Sequence, residues 1–99
     1  GVINLTRVVA IEYARHGIRA NCICPGAIDT PLLAPALAQS GFADQIKAGI
    51  PMGRLGKPEE MANVVLFLAS ELASFVTGAA FIADGGQTAK TGSPSFMPE

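Results

Sequence analysis

The sequence is poor in the residues that most often do chemistry or cross-link a fold. Its 99 residues hold one histidine, one tyrosine and two cysteines. Two cysteines cannot build a disulfide framework, and a lone histidine leaves too few ligands for a structural metal site. Charge is sparse as well. Charged residues make up 15% of the chain, and seven basic against eight acidic side chains leave a formal net charge of −1. No Lys/Arg cluster stands along it, which argues against nucleic acid and anionic membrane surfaces as partners. No apolar run approaches the roughly 20 residues that cross a bilayer. A charged-then-apolar leader is lacking too, so the cytoplasm is the expected compartment. Apolar side chains are what the chain has in quantity: 49% of residues are hydrophobic, and mean hydropathy is +0.39. That excludes a disordered chain and exceeds what a self-contained domain this small requires.

The pattern begins at once with a helix. Val2, Leu5, Val9 and Tyr13 recur at spacings of three and four, the period of one helical face. Ile3, Val8 and Ile11 fall on other sides and leave a narrow polar strip at Asn4, Arg7 and Arg15. A helix apolar around most of its circumference is buried on more than one face. Two placements fit: a central core helix, or a helix between a sheet and a partner subunit. Arg15 and His16 suit the last turn, and Gly17 suits the left-handed residue that follows a helix. The helical pattern starts at Gly1 with no capping Ser, Thr or Asp and no initiating Met, and the expectation is a truncated form of a larger protein.

Residues 18–24 read as a strand ending at Pro25-Gly26. Cys22 and Cys24 share one of its faces about 7 Å apart along the chain, poor geometry for a bridge, and are expected as small buried thiols. Residues 25–31 form a loop punctuated by Pro and Gly. From Leu32 to Gly56 an Ala/Leu-rich stretch is broken by Pro35, Gly41, Gly49, Pro51 and Gly53, which predicts short helices with hinges. Pro58-Glu59-Glu60 opens a second long helix, expected to run to Ala73, with Met61, Val65, Leu68 and Leu72 as its core stripe and Val64 and Phe67 alongside. A second strand over 79–83 ends at the turn residues Asp84-Gly85-Gly86, and the remainder reads as a tail. Strands joined by such a helix form a right-handed crossover and hence a parallel pair. A two-stranded parallel sheet is not a viable core. The chain is therefore expected to be the C-terminal part of a larger α/β domain, or to depend on another chain.

Ile18-Arg19-Ala20-Asn21 before Pro25-Gly26-Ala27-Ile28-Asp29-Thr30-Pro31, then Gly53-Arg54-Leu55-Gly56-Lys57-Pro58-Glu59-Glu60, then Ala83-Asp84-Gly85-Gly86, resemble the last third of a classical short-chain dehydrogenase/reductase. Leu5-Thr6-Arg7 and Ala10-Ile11-Glu12 resemble the second half of that family's active-site helix. The resemblance covers residues 1–88 and implies an α/β fold, the C-terminal portion of a Rossmann-like doubly wound parallel sheet. Residues 32–56 would be its substrate lid and 89–99 a C-terminal tail. It implies an oxidoreductase using NAD or NADP on a small carbonyl or alcohol substrate. The family's Gly-rich phosphate turn, catalytic Ser and Tyr-x-x-x-Lys would lie upstream of Gly1, so no catalytic residue carries over; Tyr13 and His16 are expected to be structural.

The resemblance places the cofactor's nicotinamide end at Pro25, Gly26, Ile28 and Thr30. Gly26 would let the backbone approach closely, the Ile28 backbone would hold the carboxamide, and the Thr30 hydroxyl would bond the carboxamide or pyrophosphate. A carboxamide carries donors and an acceptor, so an amide–carbonyl pair with a hydroxyl is suitable recognition chemistry. Leu32, Leu33, Phe42, Ile46 and Met52 would line an apolar lid that excludes water. The family's oligomers imply a homo-oligomer, dimer or tetramer, through residues 58–83. The other reading is a non-catalytic remnant or interaction module that keeps the oligomer surface.

Overall fold

The computed structural model describes residues 1–90. Helix α1 spans Val2–Tyr13 and runs into a 3-10 turn at Ala14–His16. Its end is a Schellman motif. Gly17 sits at φ 74° and donates to the Ala14 carbonyl at 3.0 Å, while the Ile18 amide reaches the Tyr13 carbonyl at 3.3 Å. Strand β1 (Cys22–Pro25) follows, then short helices α2 (Ala34–Leu37) and α3 (Phe42–Ala48), helix α4 (Pro58–Ala69), a 3-10 turn at Glu71–Ala73, and strand β2 (Ala80–Ala83). A last 3-10 turn covers Gln87–Ala89; the tail expected over 89–99 otherwise lies outside the described residues. No helix among the described residues is long and apolar enough to cross a membrane.

β1 and β2 pair in parallel, with Cys22 opposite Ala80, Ile23 opposite Phe81, Cys24 opposite Ile82 and Pro25 opposite Ala83. The first strand is shorter than the expected 18–24, because side chains replace the ladder at its start. The Asn21 carboxamide donates to the Val76 carbonyl at 3.0 Å and accepts from the Ala79 amide at 3.0 Å. The Ala20 amide donates to the Thr77 hydroxyl at 3.1 Å, and Arg19 reaches the carbonyls of Val76 and Ser70 at 3.3 and 3.4 Å. These bonds hold residues 19–21 against the approach to β2 without strand geometry. Both cysteines are free thiols on one strand face and are half-buried.

α4 stops at Ala69, four residues before the expected end. Ser70 is extended (φ −96°, ψ 169°), and its hydroxyl donates back to the Phe67 carbonyl at 2.8 Å while accepting from the Leu72 amide at 3.3 Å. A serine that satisfies both sides of the break ends one helix and caps the next turn. The expected stripe is corrected in consequence. Leu68 is buried and Met61 and Val64 half-buried, whereas Val65 is 53% and Leu72 82% exposed. The seated face is thus Met61, Val64 and Leu68. Phe67 meets Phe81 of β2 in a tilted pair with ring centroids 6.3 Å apart.

Among the described residues the buried apolar side chains are Ala10, Ile50, Leu68 and Ala73. On α1 only Ala10 is enclosed, close over Gly78, while Val2, Leu5, Val8 and Ile11 of the same helix stay exposed. Of the stripe expected through Val2, Leu5, Val9 and Tyr13, Val9 is half-buried, and the other three stay exposed among the described residues. A pair of strands with helices offers too little surface to enclose it.

Candidate functional site

The two strands end side by side, and their carboxyl ends open onto a groove of about 750 Å³. Open α/β sheets bind ligands at this edge. Just past β1, the Gly26 amide donates to the Ala83 carbonyl at 3.1 Å. A Cβ on Gly26 would stand 2.6 Å from the Asp84 Cβ and 2.9 Å from its Cα, so only glycine lets these two turns touch. The Asp84 carboxylate folds onto its own turn, accepting from the Gly86 and Thr88 amides at 2.9 Å each. Hydrogen bonds from the Thr88 hydroxyl and from these amides hold its pKa below the usual carboxylate value. A carboxylate so engaged is an anchor, not a base.

Beyond Gly26 the chain makes a single parallel bridge between Ile28 and Gly56. The Gly56 amide donates to the Ala27 carbonyl at 3.0 Å, and the Asp29 amide donates to the Gly56 carbonyl at 2.8 Å. In a parallel ladder the residue between the two bonded neighbours turns its own groups the other way. The Ile28 amide and carbonyl therefore face away from Gly56, and no hydrogen bond to a described residue engages them. At Thr30 the chain turns off, its carbonyl accepting from Leu33 at 3.0 Å. The Thr30 hydroxyl is half-buried and has no hydrogen-bond partner among the described residues.

The segment after Thr30 leaves the groove and returns to it. Leu32 is 88% exposed, whereas Leu33, and Phe42 and Ile46 one turn apart on α3, are half-buried. The return is anchored at the glycine turn after β2. The Met52 amide donates to the Gly85 carbonyl at 3.1 Å, and Ile50 is buried with its Cγ2 2.8 Å from where a Cβ on Gly85 would lie. Four residues later Arg54 forms a two-pronged ion pair with Glu60, at 2.7 and 2.9 Å. Lys57 has no side-chain acceptor, so only the returning half of a capping box forms at the start of α4. Glu60 Oε1 accepts from the Lys57 amide at 2.9 Å. The guanidinium and this amide pull the Glu60 pKa down to about 2, and the same pair raises that of Arg54.

Of the nine residues singled out from sequence, Ile28 and Met52 line the groove. Gly26 backs it through Asp84, and Pro25 closes β1 beside it. Thr30, Leu32, Leu33, Phe42 and Ile46 lie outside its lining, because the turn at Thr30 carries the chain away. The structure adds Arg54, Gly56, Glu60 and the Asp84–Gly86 turn to the groove. From sequence, Asp84-Gly85-Gly86 reads as a turn and Glu60 as part of a helix start, both within the motifs of the resemblance and neither as a site residue. Tyr13 and His16, rings 6.1 Å apart, border a separate depression at the end of α1.

The chain matches a family described as enoyl-(acyl carrier protein) reductase over residues 1–88. It is 52% identical over 91 residues to cis-4-hydroxycyclohexanecarboxylate dehydrogenase of Sinomonas cyclohexanicum, covering 90% of this chain and 35% of that protein. Among solved structures, a protein of Agrobacterium tumefaciens with bound NADP superposes with a TM-score of 0.86 at 39% identity, over 91% of this chain and 37% of the other. A 4-hydroxyisoleucine dehydrogenase complexed with NADH gives a TM-score of 0.85 at 34% identity, over 90% and 37%. The chain spans about a third of the length of the curated relatives it matches. The motifs, the parallel pair and these likenesses agree: the chain belongs to the short-chain dehydrogenase/reductase family.

Proposed function

We propose that this chain is the nicotinamide-binding and substrate-lid portion of an NAD(P)-dependent oxidoreductase acting on a small carbonyl or alcohol. The observation that carries the reading is Ile28. Its amide and carbonyl are held by the Gly56 bridge, face away from it and have no partner among the described residues. One donor and one acceptor on a rigid strand edge match the two ends of a carboxamide. The Thr30 hydroxyl, unengaged two residues on, would add a third contact. Bound cofactors in the solved neighbours, NADP in one and NADH in the other, support the same reading. The cofactor would supply the hydride. This chain's part is to orient its ring and, with residues 32–56 closed, to keep water out. The apolar Leu32 and Met52, both largely exposed, favour a substrate of hydrophobic character.

The proton-transfer groups would come from outside this stretch, since Asp84 and Glu60, the carboxylates at the groove, are both committed to structural bonds. The isolated 99-residue chain is accordingly expected to be inactive and to bind cofactor weakly. A non-catalytic interaction module is the competing reading, favoured by the same committed carboxylates; an intact mass near 10.2 kDa for the native protein would support it. Assembly through residues 58–83 also belongs to the proposal. Leu66 is 69% exposed, whereas Phe81 packs on Phe67 and Ile82 lines the groove, so Leu66→Glu is the informative substitution for light scattering on the full-length protein. A smaller soluble species is expected, and an unchanged oligomer would remove the interface.

Thr30→Val tests the cofactor reading. It keeps shape and removes the hydroxyl, leaving a polar cofactor group unpaired at a cost of about 1–3 kcal/mol. Cofactor binding by the full-length protein should weaken roughly ten-fold, with little change in thermal stability; wild-type affinity would contradict it.

A further inference from the structure

Gly56 is held more tightly than a loop glycine needs to be. It has two flanking peptide planes, and each is bonded at both edges. In the plane before it, the Leu55 carbonyl accepts from Arg54 Nη1 at 3.1 Å, and the Gly56 amide donates to Ala27 at 3.0 Å. In the plane after it, the Gly56 carbonyl accepts from Asp29 at 2.8 Å, and the Lys57 amide donates to Glu60 Oε1 at 2.9 Å. One edge of both planes thus belongs to the loop at 27–29. The other edge belongs to Arg54 and Glu60, which are themselves locked together by two short bonds. A Cβ on Gly56 would lie 2.8 Å from Ile28 Cδ1, so the approach to Ile28 is close as well.

Stability does not account for this arrangement. The paired side chains are 46% and 39% exposed, and exposed ion pairs contribute little to folding because solvent screens them and ordering them costs entropy. What the pair does fix is direction. A tilt of either Gly56 peptide plane would rotate the bridge and re-aim the Ile28 amide and carbonyl. Small misplacements of a positioning group cost far more in function than in fold.

We propose that Arg54 and Glu60 are positioning residues for the nicotinamide loop: they clamp the two peptide planes of Gly56, and through the bridge to Ala27 and Asp29 they set the aim of the Ile28 amide and carbonyl. This rests on the reading of Ile28 and Thr30 as carboxamide contacts. Arg54 and Glu60 also line the groove, but the role assigned to them runs through Gly56 and not through contact with the nicotinamide. It acts only on the nicotinamide end, and cofactor fragments lacking that end should not sense it.

The test compares two ligands on the full-length protein by calorimetry. One is the reduced cofactor that the wild type binds tighter, NADH or NADPH. The other is ADP-ribose or its 2′-phosphate, matched to it but lacking nicotinamide. Arg54→Met should raise the Kd for reduced cofactor about ten-fold and leave that for the ADP-ribose ligand within about two-fold of wild type. Glu60→Gln keeps an acceptor for Lys57 and loses the charge, and should fall between Arg54→Met and wild type; it also serves if Arg54→Met does not fold. Equal weakening of both ligands would show a structural role only and overturn the proposal, as would no change in either. Thr30→Val in parallel separates the two readings. If Thr30→Val lowers affinity for the reduced cofactor alone while Arg54→Met and Glu60→Gln do not, this inference fails and the loop reading stands. If none of the three does, the loop reading fails with it.

Discussion

Two ends of this molecule behave differently. At the carboxyl end of the strands every turn is tied to another. Gly26 abuts Asp84, Met52 bonds Gly85, Gly56 bridges Ile28, and Arg54 pairs with Glu60. On α1, by contrast, Val2 is 71% and Ile11 79% exposed, and Ala10 is the helix's one buried side chain among the described residues. The lesson concerns what holds each region. Backbone bonds and close glycine contacts shape the groove locally, so it forms from short segments of this chain. The helix depends on apolar area, and the area that would cover it is not in these residues.

The largest expected effect tests that contrast on α1. Ile11→Asp in the full-length protein puts a carboxylate on a face that the account expects to be covered there, and should cost about 2–4 kcal/mol in denaturant unfolding. A change within about 0.5 kcal/mol would mean that this face stays in water. Next comes the groove. Gly26→Ala pushes a methyl into the Asp84 backbone and should destabilise by about 1–3 kcal/mol, with cofactor binding weakened beyond the loss in stability. An unaffected melting temperature would show that the two turns do not need to touch.

The smallest effect is the acid titration of Glu60. Its folded-state pKa lies near 2, below the ordinary 4.5. A depressed carboxylate contributes stability that is complete above its unfolded value and lost as pH falls through the folded one. The difference in melting temperature between wild type and Glu60→Gln should therefore shrink from pH 4.5 toward pH 2. A difference that stays constant across that window would assign the ion pair no part in it.

Local signals were readable and long-range ones were not. Gly17 after Arg15-His16 announces the end of α1, and the strand–helix–strand order announces the parallel pair, because both depend on neighbours in sequence. The sequence pattern places the start of β1 at Ile18, too early, because Asn21 bonds to Val76 and Ala79, partners more than fifty positions away. Val65 and Val64 are indistinguishable by periodicity alone; the way α4 seats against β1, with Phe67 on Phe81, decides between them. Ile28 was found only through resemblance. That its amide and carbonyl face away from Gly56 follows from a bridge that neither residue's local sequence encodes. Arg54 and Glu60 both stand near Pro58 in the sequence, but their pairing depends on how residues 55–59 run between them, which the Ile28–Gly56 bridge shapes.

In the proposed reading the backbone of Ile28 grips the nicotinamide carboxamide. A crystal structure of the full-length protein with NAD or NADP bound tests it most directly. The account predicts the carboxamide within hydrogen-bond distance, about 2.7–3.2 Å, of both the Ile28 amide and its carbonyl, with the Ile28–Gly56 bridge intact. A nicotinamide ring bound elsewhere, or an Ile28 amide and carbonyl left without that partner, would contradict it.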